Sequence, residues 1–232
     1  MKYNILLLDA DETLLDFHLA EEQGLRSAFS IHHLPYNEDI LKLYSSVNKK
    51  CWEEFEQGLL TKPQLLIERF RRLFALLPIE ADAEKVRRTY QEELGKGAFL
   101  IDGAKDVCRE LSQYCKLYIV TNGVSSIQHS RLSKSGLDVL VNDIFVSEEI
   151  GFQKPQKAYF DEVFRRLGNP AREEILLVGD SLSADIRGGI DAGINTCWYN
   201  PHGKEKPTDM EITYIIDDIK KLPELVLTRS GL

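Results

Sequence analysis

Two carboxylates lie two residues apart near the start of the chain, at Asp9 and Asp11. They follow the apolar residues 5–8, a run that is typical of a buried parallel strand. Side chains two residues apart on extended backbone project toward the same side. Two acids this close repel each other unless a cation neutralises them or one stays protonated. The pair can therefore supply a nucleophile beside a metal ion and a group that donates and accepts protons.

Three further polar groups follow in chain order: Thr121 with Asn122 and Gly123, then Lys154 before Pro155, then Asp180 with Asp185. The first and the last of these groups begin directly after apolar runs that are typical of buried strands. Parallel strands place their carboxyl ends at one edge of a sheet, and open α/β sheets bind ligands there. We therefore expect these side chains to belong to the same site as Asp9 and Asp11.

The chemistry that these residues favour is attack on a phosphate ester. A carboxylate such as Asp9 can displace the ester oxygen from phosphorus and form an aspartyl-phosphate. A hard divalent cation brings the two anions together, and carboxylate oxygens are the ligands that Mg²⁺ prefers. Asp180 is a second candidate ligand, while the Thr121 hydroxyl and the backbone amides of Asn122 and Gly123 can bind phosphate oxygens. Taken singly, Asp9 and Thr121 are more typical of caps at strand ends than of a catalytic site.

These residues, in this order, resemble the four-motif signature of the haloacid dehalogenase-like (HAD) superfamily, whose members are mostly phosphohydrolases. The resemblance extends from residue 3 to about residue 219. It implies that Asp9 is the nucleophile and that Asp11 is the general acid and base. The presence of Asp11 is itself informative, because haloacid dehalogenases lack this second aspartate and ion-pumping ATPases carry threonine there. We therefore expect hydrolysis or transfer of phosphate esters.

The resemblance also implies a role for each remaining residue. Lys154 would contact both the nucleophile and the phosphate, although a surface lysine is the alternative. The implied Mg²⁺ ligands are the side chains of Asp9 and Asp180 and the backbone carbonyl of Asp11. Asp185 would support the metal as a direct ligand or from just outside the ligand set, and its alternative is a favourable charge in the first turn of a helix.

Apolar periodicity divides the chain into three parts. Residues 1–16 contain the first strand and the acidic loop, residues 17–97 have only helical patterns, and strands alternate with helices from residue 98 onward. This alternation predicts an α/β fold with a doubly wound parallel, Rossmann-like sheet. The helical residues 17–97 are then an insert, which the resemblance identifies as a C1-type helical bundle cap on a catalytic core of residues 1–16 and 98–232.

The boundaries of most elements can be predicted. In the insert, Asn37 and Asp82 are expected N-caps, and Thr61 with Gln64 forms an expected capping box. The predicted strands are residues 5–8, 116–120, 143–146, 175–178, 195–199 and 214–216. The predicted helices of the core are residues 103–114, 126–135, 155–167 and 184–192, with a turn at the C-terminal end. Residues 228–232 are expected to form a loose tail.

Within the superfamily, the chain most resembles bacterial pyrimidine 5′-nucleotidases. The segments that carry this resemblance are residues 9–14, residues 47–49 with Trp52, residues 121–123, residues 147–151, residues 154–155 and residues 188–198. The second and the last of these lie outside the general superfamily signature and therefore indicate this branch. It implies hydrolysis of nucleoside 5′-monophosphates. The alternatives are a sugar-phosphate or phosphoglycolate phosphatase, a phosphomutase, and a phosphate-binding module without catalysis. Four aromatic residues of the insert could contact substrate, although packing inside the bundle is the commoner role: Phe17, Tyr44, Trp52 and Phe55.

Composition narrows the partners of the chain. The net charge of -8 over 232 residues argues against binding to a nucleic-acid polymer. The partner that the resemblance implies is a small phosphorylated metabolite. No stretch approaches the length of a membrane span, and the first apolar run is too short for a signal peptide. The four cysteines lie in apolar contexts, which predicts buried thiols in a reducing cytoplasm. Without an exposed heptad pattern, we expect a monomer.

Overall fold

The computed structural model describes residues 2–227. The expected tail at residues 228–232 lies outside the described residues. The chain divides into two compact units. Phe17–Gly97 form one, which we call the helical unit, and the residues up to Asp16 and from Ala98 onward form the other, which we call the α/β unit.

The helical unit consists of four helices, which are α1 (Phe17–Ile31), α2 (Glu38–Glu56), α3 (Lys62–Leu76) and α4 (Ala83–Leu94). Each predicted cap is present. The Asn37 side chain accepts a hydrogen bond from the backbone N–H of Ile40, and Asp82 caps α4 in the same way. Thr61 and Gln64 form the expected capping box at the start of α3. Within residues 2–227, every helix is too short or too polar to traverse a lipid bilayer.

An aromatic cluster with buried polar neighbours forms the interior of the helical unit. The ring centroid of Tyr44 lies 5.2 Å from that of Phe70 and 5.4 Å from that of Tyr90. The Arg69 guanidinium lies 4.8 Å from the centroid of the Tyr90 ring and donates a hydrogen bond to Asn48. Tyr44, one of the residues that could have contacted substrate, is thus completely buried inside this unit.

The α/β unit is built on a six-stranded parallel sheet in the order β3-β2-β1-β4-β5-β6. The strands are β1 (Ile5–Leu8), β2 (Lys116–Thr121), β3 (Asp143–Val146), β4 (Ile175–Gly179), β5 (Asn195–Tyr199) and β6 (Tyr214–Ile216). The predicted doubly wound parallel sheet is confirmed. Because β1 lies between β2 and β4, the strand order reverses at β1, which is where such sheets bind ligands.

Helices cover both faces of the sheet. They are α5 (Ala104–Leu111), α6 (Ser125–Ser135), α7 (Ser147–Ile150), α8 (Lys157–Arg166), α9 (Arg187–Asp191) and α10 (Leu222–Leu227). Leu6 and Leu8 of β1 pack in one hydrophobic core, to which α5, α6 and α10 contribute. Leu7 packs on the other face in a second core with the aromatic residues of α8. The central strand is therefore buried on both sides, as its uninterrupted apolar sequence predicts.

Several segments differ from the predicted elements. Helix α5 ends at Leu111 although the prediction extended to residue 114, and the short helix α7 was not predicted. The helix expected from residue 155 begins at Lys157. Residues expected as one helix over 184–192 form a π-helical turn, Leu182–Ile186, followed by α9. The expected C-terminal turn is a helix, α10. A π-helical turn has hydrogen bonds between residues five apart and is usually a single turn long. It is therefore too short to produce a recognisable periodicity of apolar residues in the sequence.

Candidate active site

The site lies at the carboxyl end of β1. Leu8 is in register with Ile119 of β2 and Val178 of β4, so Asp9 follows between the ends of both neighbouring strands. The backbone N–H of Asp9 donates to the carbonyl of Val178 at 2.9 Å, which extends the ladder by one residue. The Asp9 carboxylate is thereby fixed at the point where the strand order reverses.

Three carboxylates converge there. One carboxylate oxygen from each of Asp9, Asp180 and Asp185 lies within 4.8 Å of the others. Asp180 directly follows β4, and its backbone carbonyl accepts a hydrogen bond of 3.0 Å from the indole N–H of buried Trp198. Asp185 lies on the π-helical turn, whose first residues are capped by the Ser181 side chain. A turn of this kind often occurs at functional sites because it redirects one side chain.

Gly179 makes room for this cluster. A Cβ atom at that position would lie 2.3 Å from Oδ2 of Asp185, closer than any real contact. The same Oδ2 accepts a hydrogen bond of 3.2 Å from the backbone N–H of Ser181. Only glycine therefore lets β4 end directly beneath the Asp185 carboxylate.

Lys154 is the cation at the centre of the cluster. Its ammonium donates to Asp9 and Asp185 at 2.6 Å each and to the carbonyl of Val120 at 2.8 Å. These three bonds use all three donors of the ammonium. Burial by itself lowers the pKa of Lys154, but the two carboxylates more than offset this and raise it, so the side chain stays charged. The structure thus places Lys154 inside the site and not on the surface.

The single positive charge of Lys154 does not balance the negative charge of the three carboxylates. Burial raises the pKa of Asp9 to about 7, and although Lys154 opposes this, Asp185 and Asp11 add to it. Burial, Asp9 and Asp185 likewise raise the pKa of Asp180 well above its ordinary value. When all three are ionised, three carboxylates around one ammonium leave two negative charges, all on hard oxygen donors. This donor set and this charge fit a divalent cation such as Mg²⁺, which takes carboxylate and water ligands.

Asn122 connects the loop after β2 to the segment that carries Lys154 and precedes α8. Its side chain donates to the carbonyl of Lys154 at 2.8 Å and accepts from the backbone N–H of Lys154 at 2.9 Å. Both groups are buried. The side chain therefore fixes the segment that carries Lys154.

Asp11 lies outside the three-carboxylate cluster and has its own partners on α6. The amide of Gln128 donates to Asp11 Oδ2 at 2.8 Å, and the Arg131 guanidinium donates to Asp11 Oδ1. Gln128 also donates to the Thr121 hydroxyl at 2.7 Å. Neither Gln128 nor Arg131 was predicted to belong to the site. A signal existed, since two long polar side chains three residues apart share one face of a helix that directly follows Thr121, Asn122 and Gly123.

Comparison with known protein families gives a result that agrees with the geometry of this site. The profile of the haloacid dehalogenase-like hydrolases matches residues 3–193. The chain belongs to this family. It is therefore an enzyme, a hydrolase, and the resemblance predicted from the four motifs is confirmed.

Relatives match over nearly the whole chain. YfnB of Bacillus subtilis (strain 168), named as a HAD-hydrolase, is 44% identical over 224 residues, which are 97% of this chain and 94% of YfnB. The crystal structure of YfnB bound to magnesium has a TM-score of 0.93 at 42% identity and covers 98% of this chain and 100% of that one.

Two relatives are named pyrimidine 5′-nucleotidases. PynA of Streptococcus pneumoniae is 36% identical over 215 residues, which are 92% of this chain and 91% of PynA. YjjG of Escherichia coli (strain K12) is 32% identical over 226 residues, which are 97% of this chain and 99% of YjjG. The similarity to this branch, predicted from short segments of sequence, thus extends along nearly the full length of the chain.

Proposed function

We propose that this protein is a Mg²⁺-dependent phosphatase that hydrolyses pyrimidine nucleoside 5′-monophosphates through an aspartyl-phosphate on Asp9. The single observation that carries the proposal is the convergence of Asp9, Asp180, Asp185 and Lys154 at the end of β1, with Asp11 held separately. Two carboxylates in different environments can take different roles in one reaction. The pyrimidine substrate is supported by the similarity to PynA and YjjG.

Asp9 acts first. Its carboxylate oxygen attacks phosphorus, and the bond between phosphorus and the ester oxygen breaks as the new bond forms. Asp11, in its protonated form, gives its proton to the departing ester oxygen, which leaves as the 5′-hydroxyl of the nucleoside. The Thr121 hydroxyl and the backbone amide of Asn122 bind the phosphate oxygens, whereas the Gly123 N–H, which was also expected to bind phosphate, donates to Thr121 Oγ1 at 3.1 Å and orients that hydroxyl. Lys154 offsets the negative charge that gathers around Asp9.

Asp11 then acts in the opposite sense. As a carboxylate it takes a proton from a water molecule, and that water attacks the phosphorus of the aspartyl-phosphate. The bond between phosphorus and the Asp9 oxygen breaks, which releases inorganic phosphate and restores the Asp9 carboxylate. Asp9, Asp180 and Asp185, with the backbone carbonyl of Asp11, would hold the Mg²⁺ ion. When bound, that ion neutralises the approaching anions and polarises the phosphoryl group.

The compartment that fits this reaction is a reducing one. All four cysteines are buried as free thiols: Cys51, Cys108, Cys115 and Cys197. Burial raises the pKa of Cys108 and of Cys197 to about 12, which keeps both protonated and unreactive. We place the enzyme in the cytoplasm, where nucleotide substrates are also available.

The experiment that tests the function is release of inorganic phosphate from a substrate panel. Cytidine, uridine and thymidine 5′-monophosphates are compared with purine nucleotides, phosphoglycolate and hexose phosphates, each with Mg²⁺ and with chelator. We expect kcat/KM for pyrimidine nucleotides to exceed the others by at least about tenfold. We also expect Asp9→Asn to abolish release, and Asp161→Asn, at an exposed residue of α8, to leave it unchanged.

Each contrary result has a distinct meaning. Release only from sugar phosphates or phosphoglycolate would replace the substrate and keep the mechanism. Transfer of the phosphoryl group to a second sugar phosphate, without free phosphate, would identify a mutase. Full activity in chelator or in Asp9→Asn would remove the metal or the nucleophile from the mechanism. No release from any compound, with Mg²⁺ bound, would favour a phosphate-binding module.

A further inference from the structure

The face of α6 that packs against the sheet is unexpectedly polar. Gln128 and Arg131 are each only 1% exposed, although they occupy positions on the buried side of this helix. Burying an amide or a guanidinium is unfavourable unless it is hydrogen-bonded. The sequence therefore retains two side chains that an apolar pair could replace, and their partners indicate the reason.

Both side chains hold Asp11. Gln128 Nε2 donates to one oxygen of the Asp11 carboxylate at 2.8 Å, and Arg131 donates to the other. Arg131 also donates to Gln128 Oε1 at 3.3 Å, which fixes the orientation of the amide. The Asp11 side chain is still 29% exposed, whereas that of Arg131 is 1% exposed. The carboxylate is thus held from behind on both oxygens while part of it remains accessible.

Gln128 also determines the direction of the Thr121 hydroxyl. Thr121 Oγ1 accepts one hydrogen bond from Gln128 Nε2 at 2.7 Å and a second from the backbone N–H of Gly123 at 3.1 Å. A hydroxyl has two acceptor sites and one donor. With both acceptor sites engaged, its hydrogen is left to donate to a phosphate oxygen. A Cβ at Gly123 would lie 2.5 Å from Gln128 Nε2, so glycine admits this amide.

From these contacts we infer that Gln128 and Arg131 are positioning residues for the phosphatase reaction, a role that rests on the proposed function. Arg131 and Gln128 fix the Asp11 carboxylate for its proton transfers, and the same Gln128 amide turns the Thr121 hydroxyl toward the phosphate. One amide N–H₂ group thereby couples proton transfer to phosphate binding. Glutamate could not replace it, because a carboxylate at this position would repel Asp11 and accept from Thr121.

The test separates proton transfer from binding by using two leaving groups. A nucleoside leaves as an alkoxide and needs a proton, whereas p-nitrophenolate leaves readily without one. Pre-steady-state release of p-nitrophenol from p-nitrophenyl phosphate isolates the first step from breakdown of the phosphoenzyme. Rates are measured for Gln128→Met and Arg131→Met, with Lys134→Met, at an exposed position on the same helix, as the control.

We expect both substitutions to slow the first step with uridine 5′-monophosphate by about 100-fold, since a positioned general acid contributes about 10²–10⁴-fold. The same step with p-nitrophenyl phosphate should slow by less than about tenfold. KM should rise for Gln128→Met, which frees the Thr121 hydroxyl, and stay near the wild-type value for Arg131→Met. Arg131→Lys should recover part of the lost rate, because it keeps the charge next to Asp11. Lys134→Met should match the wild type.

Equal losses for both leaving groups, or no loss, would overturn the inference while the proposed function stands. A wild-type protein that hydrolyses neither compound would overturn the proposed function, and the inference with it. If a methionine variant does not fold, Gln128→Asn serves instead, since its shorter amide cannot reach both acceptors. Folding is followed by Mg²⁺-induced changes in tryptophan fluorescence, which a lost positioning contact would leave intact.

Discussion

Replacing the proposed nucleophile by asparagine should stabilise the metal-free protein. Burial raises the pKa of Asp9 to about 7 from its ordinary value of 3.8. Between these values the folded protein keeps a proton that the unfolded chain releases. The contribution of Asp9 to stability is therefore greatest below pH 3.8 and falls as the pH rises toward 7.

The size of the effect follows from the same shift. Each pH unit within this window costs about 1.4 kcal/mol, so the folded state loses about 4 kcal/mol between pH 4 and pH 7. Asparagine has nearly the same shape, carries no charge, and can still accept the hydrogen bond from Lys154 that Asp9 Oδ1 accepts at 2.6 Å. In chelator, the free energy of unfolding of Asp9→Asn should thus exceed that of the wild type by about 4 kcal/mol at pH 8. At pH 4 the two values should be nearly equal.

The assay is urea unfolding of the α/β unit, followed by fluorescence. The chain has two tryptophans, and Trp52→Phe leaves Trp198, whose indole donates to the carbonyl of Asp180. Both Asp9→Asn and its control, Asp161→Asn, are made in this background. Asp161 is exposed and paired with Lys157, so its substitution should change stability by less than about 0.5 kcal/mol at either pH.

Saturating Mg²⁺ at pH 8 should narrow the stability advantage of Asp9→Asn from about 4 to about 1 kcal/mol. A ligand present at 100 times its Kd stabilises the folded state by about 2.7 kcal/mol, and the wild type should gain this while Asp9→Asn gains far less. A variant no more stable than the wild type in chelator at pH 8 would refute the electrostatic reasoning. So would an advantage that is the same at pH 4 and pH 8.

Three other substitutions test separate parts of the structure. Gly179→Ala should weaken Mg²⁺ binding by at least about tenfold in a fluorescence titration, because the new methyl group displaces Asp185; unchanged affinity would contradict this. Asn122→Ala should lower stability by about 2–3 kcal/mol in urea unfolding, since two buried backbone groups lose their partner. Arg69→Met should destabilise the helical unit by about 1–3 kcal/mol, whereas exposed Arg71→Met should have almost no effect by circular dichroism.

The strands were the most predictable part of the fold. β1, β3, β5 and β6 have the bounds predicted from sequence, and β2 and β4 extend one residue further. Strands that are buried on both faces are short uninterrupted apolar runs, and polar residues mark where they end. The same rule located three site residues. Asp9 and Asp180 are the first polar residues after apolar strands, and Thr121 is the polar residue that ends one. Asp9 and Asp180 lie close together in the structure, as their positions after neighbouring strands predicted, and the Lys154 ammonium binds Asp9.

What could not be predicted depends on contacts between elements distant in sequence. Gln128 lies 117 residues from Asp11, and Arg131 lies 120 residues away. Amphipathic periodicity by itself assigns long polar side chains to solvent, so it gives no indication that these two residues face a buried site. The use of all three donors of Lys154 was equally hidden, because Val120 contributes a backbone carbonyl, which has no sequence signature.

The different surroundings of Asp9 and Asp11 show how one strand end can supply two kinds of carboxylate. Asp9 shares the single ammonium of Lys154 with Asp185, so its charge is only partly offset and a divalent cation would be required to complete the balance. Asp11 has a guanidinium of its own, supplied by Arg131 on α6. It therefore does not depend on Lys154 for its charge balance, and both of its oxygens are held by donors on α6. In the mechanism that we propose, the separate roles of nucleophile and proton donor thus depend on α6 as much as on β1.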